Sequence, residues 1–176
     1  YEPIKQIVSN ELHQLETEMV KGLENYSKLE EYVSVPSKHI RPVLTFLFLK
    51  ACNFKITEEQ IKLQAIAELI HNASLLHDDV IDNSATRRNK DSFNKIEGNH
   101  MAVVAGDFIL SIALTKLVEL NSIKLLELFA KTLNNMCSGE ISQHSMKFKI
   151  PSIEQYIEKT YNKTGSLFET SLKSAL

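Results

Sequence analysis

The sequence predicts an all-α protein, on three observations. Apolar residues recur at three- and four-residue spacing through most of the chain. No segment alternates apolar and polar residues as a half-buried strand does. Five Gly and four Pro in 176 residues are too few for a fold built on many tight turns. The length fits one domain with a sizeable core, and residues 1–176 read as a single helical domain without linker, repeat or low-complexity tract.

The first element is an amphipathic helix from Ile4 to about Leu29, with Ile7, Val8, Leu12, Leu15, Met19 and Leu23 continuing its apolar face. Pro36-Ser37 interrupts the chain, and Pro42 falls in the first turn of the next helix, where its missing N–H costs nothing. That helix, about 42–53, is apolar nearly all round and is expected to be central and buried. Thr57-Glu58-Glu59-Gln60 is a capping box that opens a long helix to about Asn83. Residues 84–98 are polar and irregular. A helix over about 99–120 follows, with Ala102, Ala105 and Gly106 small enough for close helix contact. Another starts at Asn121-Ser122 and runs to about Met146, and Pro151-Ser152-Ile153-Glu154-Gln155 starts the last.

Composition narrows the function classes. Apolar residues make up 43% of the chain and charged ones 24%, an ordinary globular balance. A formal net charge of -2 argues against nucleic acid as a partner, because a phosphate backbone demands a basic face. No run reaches the ~20 apolar residues of a membrane span; the nearest, Val43 to Leu49, is closed by Lys50. Tyr-Glu-Pro at the start carries no signal-peptide pattern. Cys52 and Cys137 lie in apolar helical sequence and read as buried thiols of a reducing compartment, so a cytoplasmic location is expected.

The charges are unevenly typed. Only three of the 20 cationic side chains are Arg (Arg41, Arg87, Arg88), and only five of the 22 acidic ones are Asp. Three of those five, Asp78, Asp79 and Asp82, fall within five residues and are followed by Arg87-Arg88. His71, Ser74, Asp78 and Asp82 share one stripe of a helix, with Asp79 turned about 100° away. Carboxylates one turn apart repel unless a cation compensates, and Mg²⁺ suits them because it takes one or two carboxylates and completes its shell with water and phosphate oxygens. Arg87 and Arg88 beside such a cluster fit a ligand with surplus negative charge, such as a diphosphate. Lys38 and Arg41 precede a helix N-terminus, itself favourable to anions, so two basic sites could serve two phosphorylated substrates.

Further along the chain the motifs form a series. Ser37-Lys38-His39-Ile40-Arg41-Pro42 resembles the GKxxRP motif of trans-isoprenyl diphosphate synthases, the polyprenyl synthetase family. Leu75-Leu76-His77-Asp78-Asp79-Val80-Ile81-Asp82, with Arg87-Arg88 behind it, resembles that family's first aspartate-rich motif. Ala102 to Asp107 resembles its AVLAGD-like segment, Gly139 to Gln143 its GExxQ, and Lys163-Thr164-Gly165 its KTG. The five motifs stand in family order and contain every Arg of the chain.

The resemblance implies the all-α isoprenoid synthase fold, an antiparallel helical barrel around a central cavity, here incomplete at the C-terminus and formed as a homodimer. It implies a Mg²⁺-dependent prenyltransferase that joins isopentenyl diphosphate to an allylic diphosphate. Lys38, Arg41 and His71 would bind isopentenyl diphosphate, with Arg88 adding to that site. Asp78 and Asp82, supported by Asp79, would hold Mg²⁺ against the allylic diphosphate, whose phosphates Arg87, Lys163 and Thr164 would contact. Gln143 would lie near the reacting centre. Aromatic residues at the fourth and fifth positions before the first aspartate give the family's short products; here Ser74 and Ala73 stand there, which implies an open tunnel and a heptaprenyl-to-nonaprenyl product.

Three departures stand out. Ser37 replaces the usual Gly before Lys38, and Asn89 replaces the Gly after the Arg pair. The family's second aspartate-rich motif is absent, since no Asp follows Asp107, and this admits an N-terminal part of a longer enzyme or a non-catalytic partner subunit. Rival chemistries are a di-iron site on the ExxH of Glu68 and His71, and an HD-type phosphohydrolase on His77-Asp78 with His39 or His100. The first lacks its second ExxH.

Overall fold

A computed structural model describes residues 2–146 and 148–176, which fall into two compact helical units, Tyr1–Leu120 and Asn121–Leu176. The helix expected over 4–29 is three: α1 (Glu2–Gln6), α2 (Ser9–Val20) and α3 (Ser27–Ser34). One interruption falls at Gly22, whose φ of 96° an L side chain rarely adopts, with its N–H donating to the Glu24 carboxylate at 3.0 Å. The apolar face persists through the breaks, and Val8, Leu12, Leu15, Met19 and Leu23 are all buried. Periodicity located most of this core, although Ile4 and Ile7 are exposed, and it missed the breaks because Val8 and Leu23 within them continue the buried face.

Helix α4 (Ile40–Ala51) buries Val43, Phe46 and Leu49 but leaves Leu44 and Phe48 53% and 41% exposed, so it is one-sided rather than central. Phe46 is fully buried, and its truncation to Ala would cost about 3–5 kcal/mol. The central element of the unit is α5 (Glu58–Ile81), which packs against α2, α4 and α7. Its capping box forms as read: Gln60 N–H donates to Thr57 Oγ1 at 3.2 Å and Thr57 N–H donates to Gln60 Oε1 at 2.9 Å. Leu63, Ile66, Leu69, Ile70 and Leu76 make α5 the spine of the core.

The polar segment after α5 is not wholly irregular. β1 (Thr86–Arg87) and β2 (Lys90–Asp91) pair antiparallel in a minimal hairpin. Its two turn residues, Arg88 and Asn89, both have positive φ (52° and 61°), the signature of a type I′ turn. Asn tolerates that conformation, which explains how it stands where the family has Gly. Each strand is too short to show alternation in the sequence.

α6 (Phe93–Glu97) leads into α7 (Asn99–Glu119), whose Ala102, Ala105, Gly106, Ile109, Ala113 and Leu117 form the buried stripe of a helix packed on α5. Among the described residues, α7 is the helix long and apolar enough to cross a membrane by length and composition, a better candidate than Val43 to Leu49; one stripe of it packs on α5, and Asp107 lies near its middle. The second unit contains α8 (Ile123–Ser145), α9 (Ile153–Thr160), a π-helical turn (Tyr161–Gly165) and α10 (Ser166–Ser174). Phe129 and Leu167 are buried there, and the Thr132 and Thr170 hydroxyls bond across α8 and α10 at 2.5 Å. Both cysteines are exposed rather than buried: Cys52 caps the end of α4 and Cys137 lies on the outer side of α8.

Candidate active site

The acidic cluster occupies the C-terminal end of α5, where the helix dipole is negative and adds to the carboxylates in attracting a cation. Asp78 is half-buried, and Asp82 is the exposed cap residue, its N–H donating to the Asp78 carbonyl at 2.8 Å. Asp79, about 100° round the helix, is turned into the protein and has no exposed surface. Its Oδ1 accepts from Arg87 Nη2 at 2.5 Å and from Nε at 3.1 Å, and its Oδ2 accepts from Nε at 3.1 Å. Its backbone carbonyl accepts from Ser84 N–H at 2.9 Å and Asn94 Nδ2 at 3.2 Å. Asp79 therefore ties the hairpin to α5. Arg87 holds both Asp79 oxygens on the inner side of α5, while Asp78 and Asp82 stand one turn apart at the helix end. Two carboxylates at the mouth of a helix fit Mg²⁺, which takes its other ligands from water and phosphate. Among the described residues no three His, Cys, Asp or Glu side chains converge as an all-protein metal cage.

The Arg pair divides its work. Arg87 is held above its usual pKa by the hydrogen bonds to Asp79, and its Nε and Nη2 serve that contact. Arg88, exposed at the hairpin tip, donates from Nη1 to the Val35 carbonyl at 3.3 Å. Beneath them Tyr32 packs edge-on to Phe93 at 5.9 Å, and burial, aided by the Asp79 charge, pushes its hydroxyl up to about 12.

The other basic motif forms the entry to α4. Lys38 is exposed, His39 is buried in a left-handed conformation (φ 43°), and the Arg41 side chain is 11% exposed. Both His39 and Arg41 meet Glu68 on α5: His39 Nδ1 lies 2.8 Å from Oε2, and Arg41 Nη1 donates to Oε1 at 3.5 Å. Burial alone would raise the Glu68 pKa, but the His39 hydrogen bond and the neighbouring positive charges outweigh it, so the carboxyl stays ionised. One turn on, His71 is pushed down to about 4 by burial and then by the charges of Arg41, Arg88 and Arg87. It is neutral at pH 7, and it lies within electrostatic reach of both basic motifs. The first unit thus sets His71, Asp78 and Asp82 along one stripe of α5, with Arg41 meeting that helix at Glu68 and Arg87 meeting it at Asp79.

On the same helix Ala73 is buried, and half-buried Ser74 donates its hydroxyl to the His71 carbonyl at 2.8 Å. His77 Nε2 lies 3.2 Å from the Val103 carbonyl and 3.3 Å from Asp107 Oδ1. A Cβ on Gly106 would stand 2.3 Å from that nitrogen, so the glycine is what lets the imidazole seat against α7. In the second unit Glu140 accepts from Lys163 Nζ at 2.5 Å and from Gln143 Nε2 at 3.3 Å. A Cβ on Gly139 would stand 2.7 Å from the Lys163 backbone nitrogen, while Thr164 is exposed in the π-helical turn. The GExxQ and KTG motifs are therefore one packed contact. Sequence reasoning missed Glu68 and Glu140 as site members; the ExxH spacing to His71 and the second letter of GExxQ were the available signals.

The helices and motifs define an isoprenoid synthase fold. A geranylgeranyl pyrophosphate synthetase from Pyrococcus horikoshii superposes with TM-score 0.88 at 28% identity, over 99% of this chain and 57% of that one. A polyprenyl synthase from Caulobacter crescentus, solved with calcium and isoprenyl diphosphate, superposes with TM-score 0.83 at 28% identity, over 98% of this chain and 55% of that one. In sequence, solanesyl-diphosphate synthase 2 of Oryza sativa subsp. japonica, a chloroplastic protein, is 35% identical over 181 residues, covering 97% of this chain and 45% of the relative. The polyprenyl synthetase family model matches residues 24–176, and the chain belongs to that family. It spans about half the length of the curated relatives it matches.

Proposed function

We propose that the protein is a trans-prenyltransferase that condenses isopentenyl diphosphate with an allylic diphosphate to a long-chain polyprenyl diphosphate. The observation that carries this reading is the placement of His71, Asp78 and Asp82 along one stripe of α5, with Arg41 meeting that helix at Glu68 and Arg87 meeting it at Asp79. Mg²⁺ held by Asp78 and Asp82, when bound, would neutralise the departing diphosphate. The rest falls to the chain. Arg87, kept in place by Asp79, presents fixed positive charge where negative charge develops, which is the electrostatic requirement of ionisation. Lys38, Arg41 and neutral His71 hold the second diphosphate, so that its double bond meets the allylic cation. In the second unit, Lys163, Thr164 and Gln143 keep the roles that the family resemblance implies for them. Two diphosphate-bearing substrates and a homodimer belong to this reading.

The small pair Ala73 and Ser74 supports a long product, as does the solanesyl synthase among the relatives. The test incubates the full-length protein with labelled isopentenyl diphosphate, farnesyl diphosphate and Mg²⁺, then separates the dephosphorylated products. Heptaprenyl-to-nonaprenyl products are expected, shortened by Ser74→Phe. Products no longer than geranylgeranyl would overturn the long-chain reading, and no condensation at all would favour a non-catalytic subunit.

A further inference from the structure

We propose that Glu68 is a positioning residue, which presets Arg41 and the turn before α4 for the diphosphate of isopentenyl diphosphate. The inference rests on the prenyl-transfer reading above and assigns a task to a buried acid that the reading leaves idle. Glu68 is 3% exposed and stands three residues before His71, on the same face of α5. A carboxylate so deeply buried is costly unless compensated, and here its two oxygens are divided between two residues of one turn. Oε2 lies 2.8 Å from His39 Nδ1, and because an ionised carboxylate only accepts, that nitrogen carries the proton. Oε1 accepts from Arg41 Nη1 at 3.5 Å.

The consequence is geometric. His39 holds the left-handed conformation at the cap of α4 (φ 43°), which sets the direction of the chain into Arg41 and Pro42. Its Nε2 lies 3.5 Å from Glu16 on α2, so the ring is bracketed by carboxylates from two helices. Arg41 keeps only 11% of its side chain exposed, and burial lowers its pKa while Glu68 opposes that shift. Without the carboxylate, a guanidinium in that position would have to move toward water to be solvated, and it would leave the place where an anion meets it together with His71. The charge of Glu68 does not repel the substrate strongly, because Arg41 cancels it at close range. What it supplies is a fixed guanidinium rather than net charge.

The test is a double-mutant cycle in the full-length protein, with isopentenyl diphosphate and farnesyl diphosphate titrated separately. Glu68→Gln, which preserves shape, is expected to raise the Kd for isopentenyl diphosphate about tenfold, roughly 1.4 kcal/mol, and to leave that for farnesyl diphosphate within about twofold. Arg41→Ala is expected to do the same, and the double variant no more than Arg41→Ala alone. Glu68→Asp, which keeps the charge, should recover part of the affinity; if Glu68→Gln does not fold, Glu68→Ala takes its place in the cycle. Additive losses, equal losses for both substrates, or normal isopentenyl diphosphate binding in the variant that lacks the carboxylate would overturn the role of Glu68. Should Arg41→Ala itself leave isopentenyl diphosphate binding unchanged, the substrate-site reading fails as well, so the two failures are distinguishable.

Discussion

Arg87 should matter more to the fold than the charge of Asp79 does, although the two form one ion pair. The asymmetry comes from exposure: Asp79 has none, whereas the Arg87 side chain is 30% exposed. Removing one partner of a buried pair costs about 3–5 kcal/mol when the survivor stays buried and charged. Arg87→Met leaves a carboxylate with no route to water, and a loss of about 3–4 kcal/mol is expected. Asp79→Asn keeps an acceptor for the guanidinium, and Arg87 can turn toward solvent, so about 1–2 kcal/mol is expected. The double variant buries no lone charge and should lose less than the sum by about 1–3 kcal/mol. Urea unfolding followed by circular dichroism measures all three, with the slope checked for constancy. Mg²⁺ affinity in the presence of diphosphate should survive Asp79→Asn. Losses below about 0.5 kcal/mol in both single variants, or a greater loss for Asp79→Asn, would refute the reasoning.

His71 predicts a pH dependence. Its pKa falls from the ordinary 6.5 to about 4, so below 6.5 the unfolded chain takes up a proton that the folded one refuses. Its contribution is full above pH 6.5 and declines as pH falls toward 4, by at most about 3 kcal/mol; His71→Asn should flatten the stability curve in that window, and an unchanged slope would contradict the burial of a neutral ring. Lys163→Ala should weaken the allylic diphosphate about tenfold and spare isopentenyl diphosphate, measured by separate titrations; equal losses would contradict its assignment.

Much of this was legible in the sequence where one residue type has one physical use. The capping box at Thr57 set the start of α5, and α5 in turn fixed the stripe of His71, Ser74, Asp78 and Asp82. The breaks in the first helix were hidden because Val8, Leu12 and Leu23 keep the same apolar face across them. The β1–β2 hairpin was hidden because a four-residue ladder has no periodicity, although Asn89 marked its turn. Helix α4 misled because hydrophobicity all round implies burial only when every side has a neighbour. Asp79 is the instructive residue of the site: the 100° step of a helix, legible in the sequence, turns it away from Asp78 and Asp82, and only folding shows that Arg87 meets it there. Glu68 was visible as half of an ExxH, but its partners His39 and Arg41 lie 29 and 27 residues away, a distance only folding closes.

The claim that Asp78 and Asp82 serve a diphosphate rather than a standing metal site is tested most directly by calorimetric titration of Mg²⁺ into the full-length protein, with and without a non-reacting allylic diphosphate analogue. Two protein carboxylates leave most of an octahedral shell to water and phosphate, so little binding is expected without the analogue and clear binding with it, lost in Asp78→Asn and Asp82→Asn. Tight Mg²⁺ binding in the absence of any diphosphate, or binding with the analogue that survives both substitutions, would contradict the account.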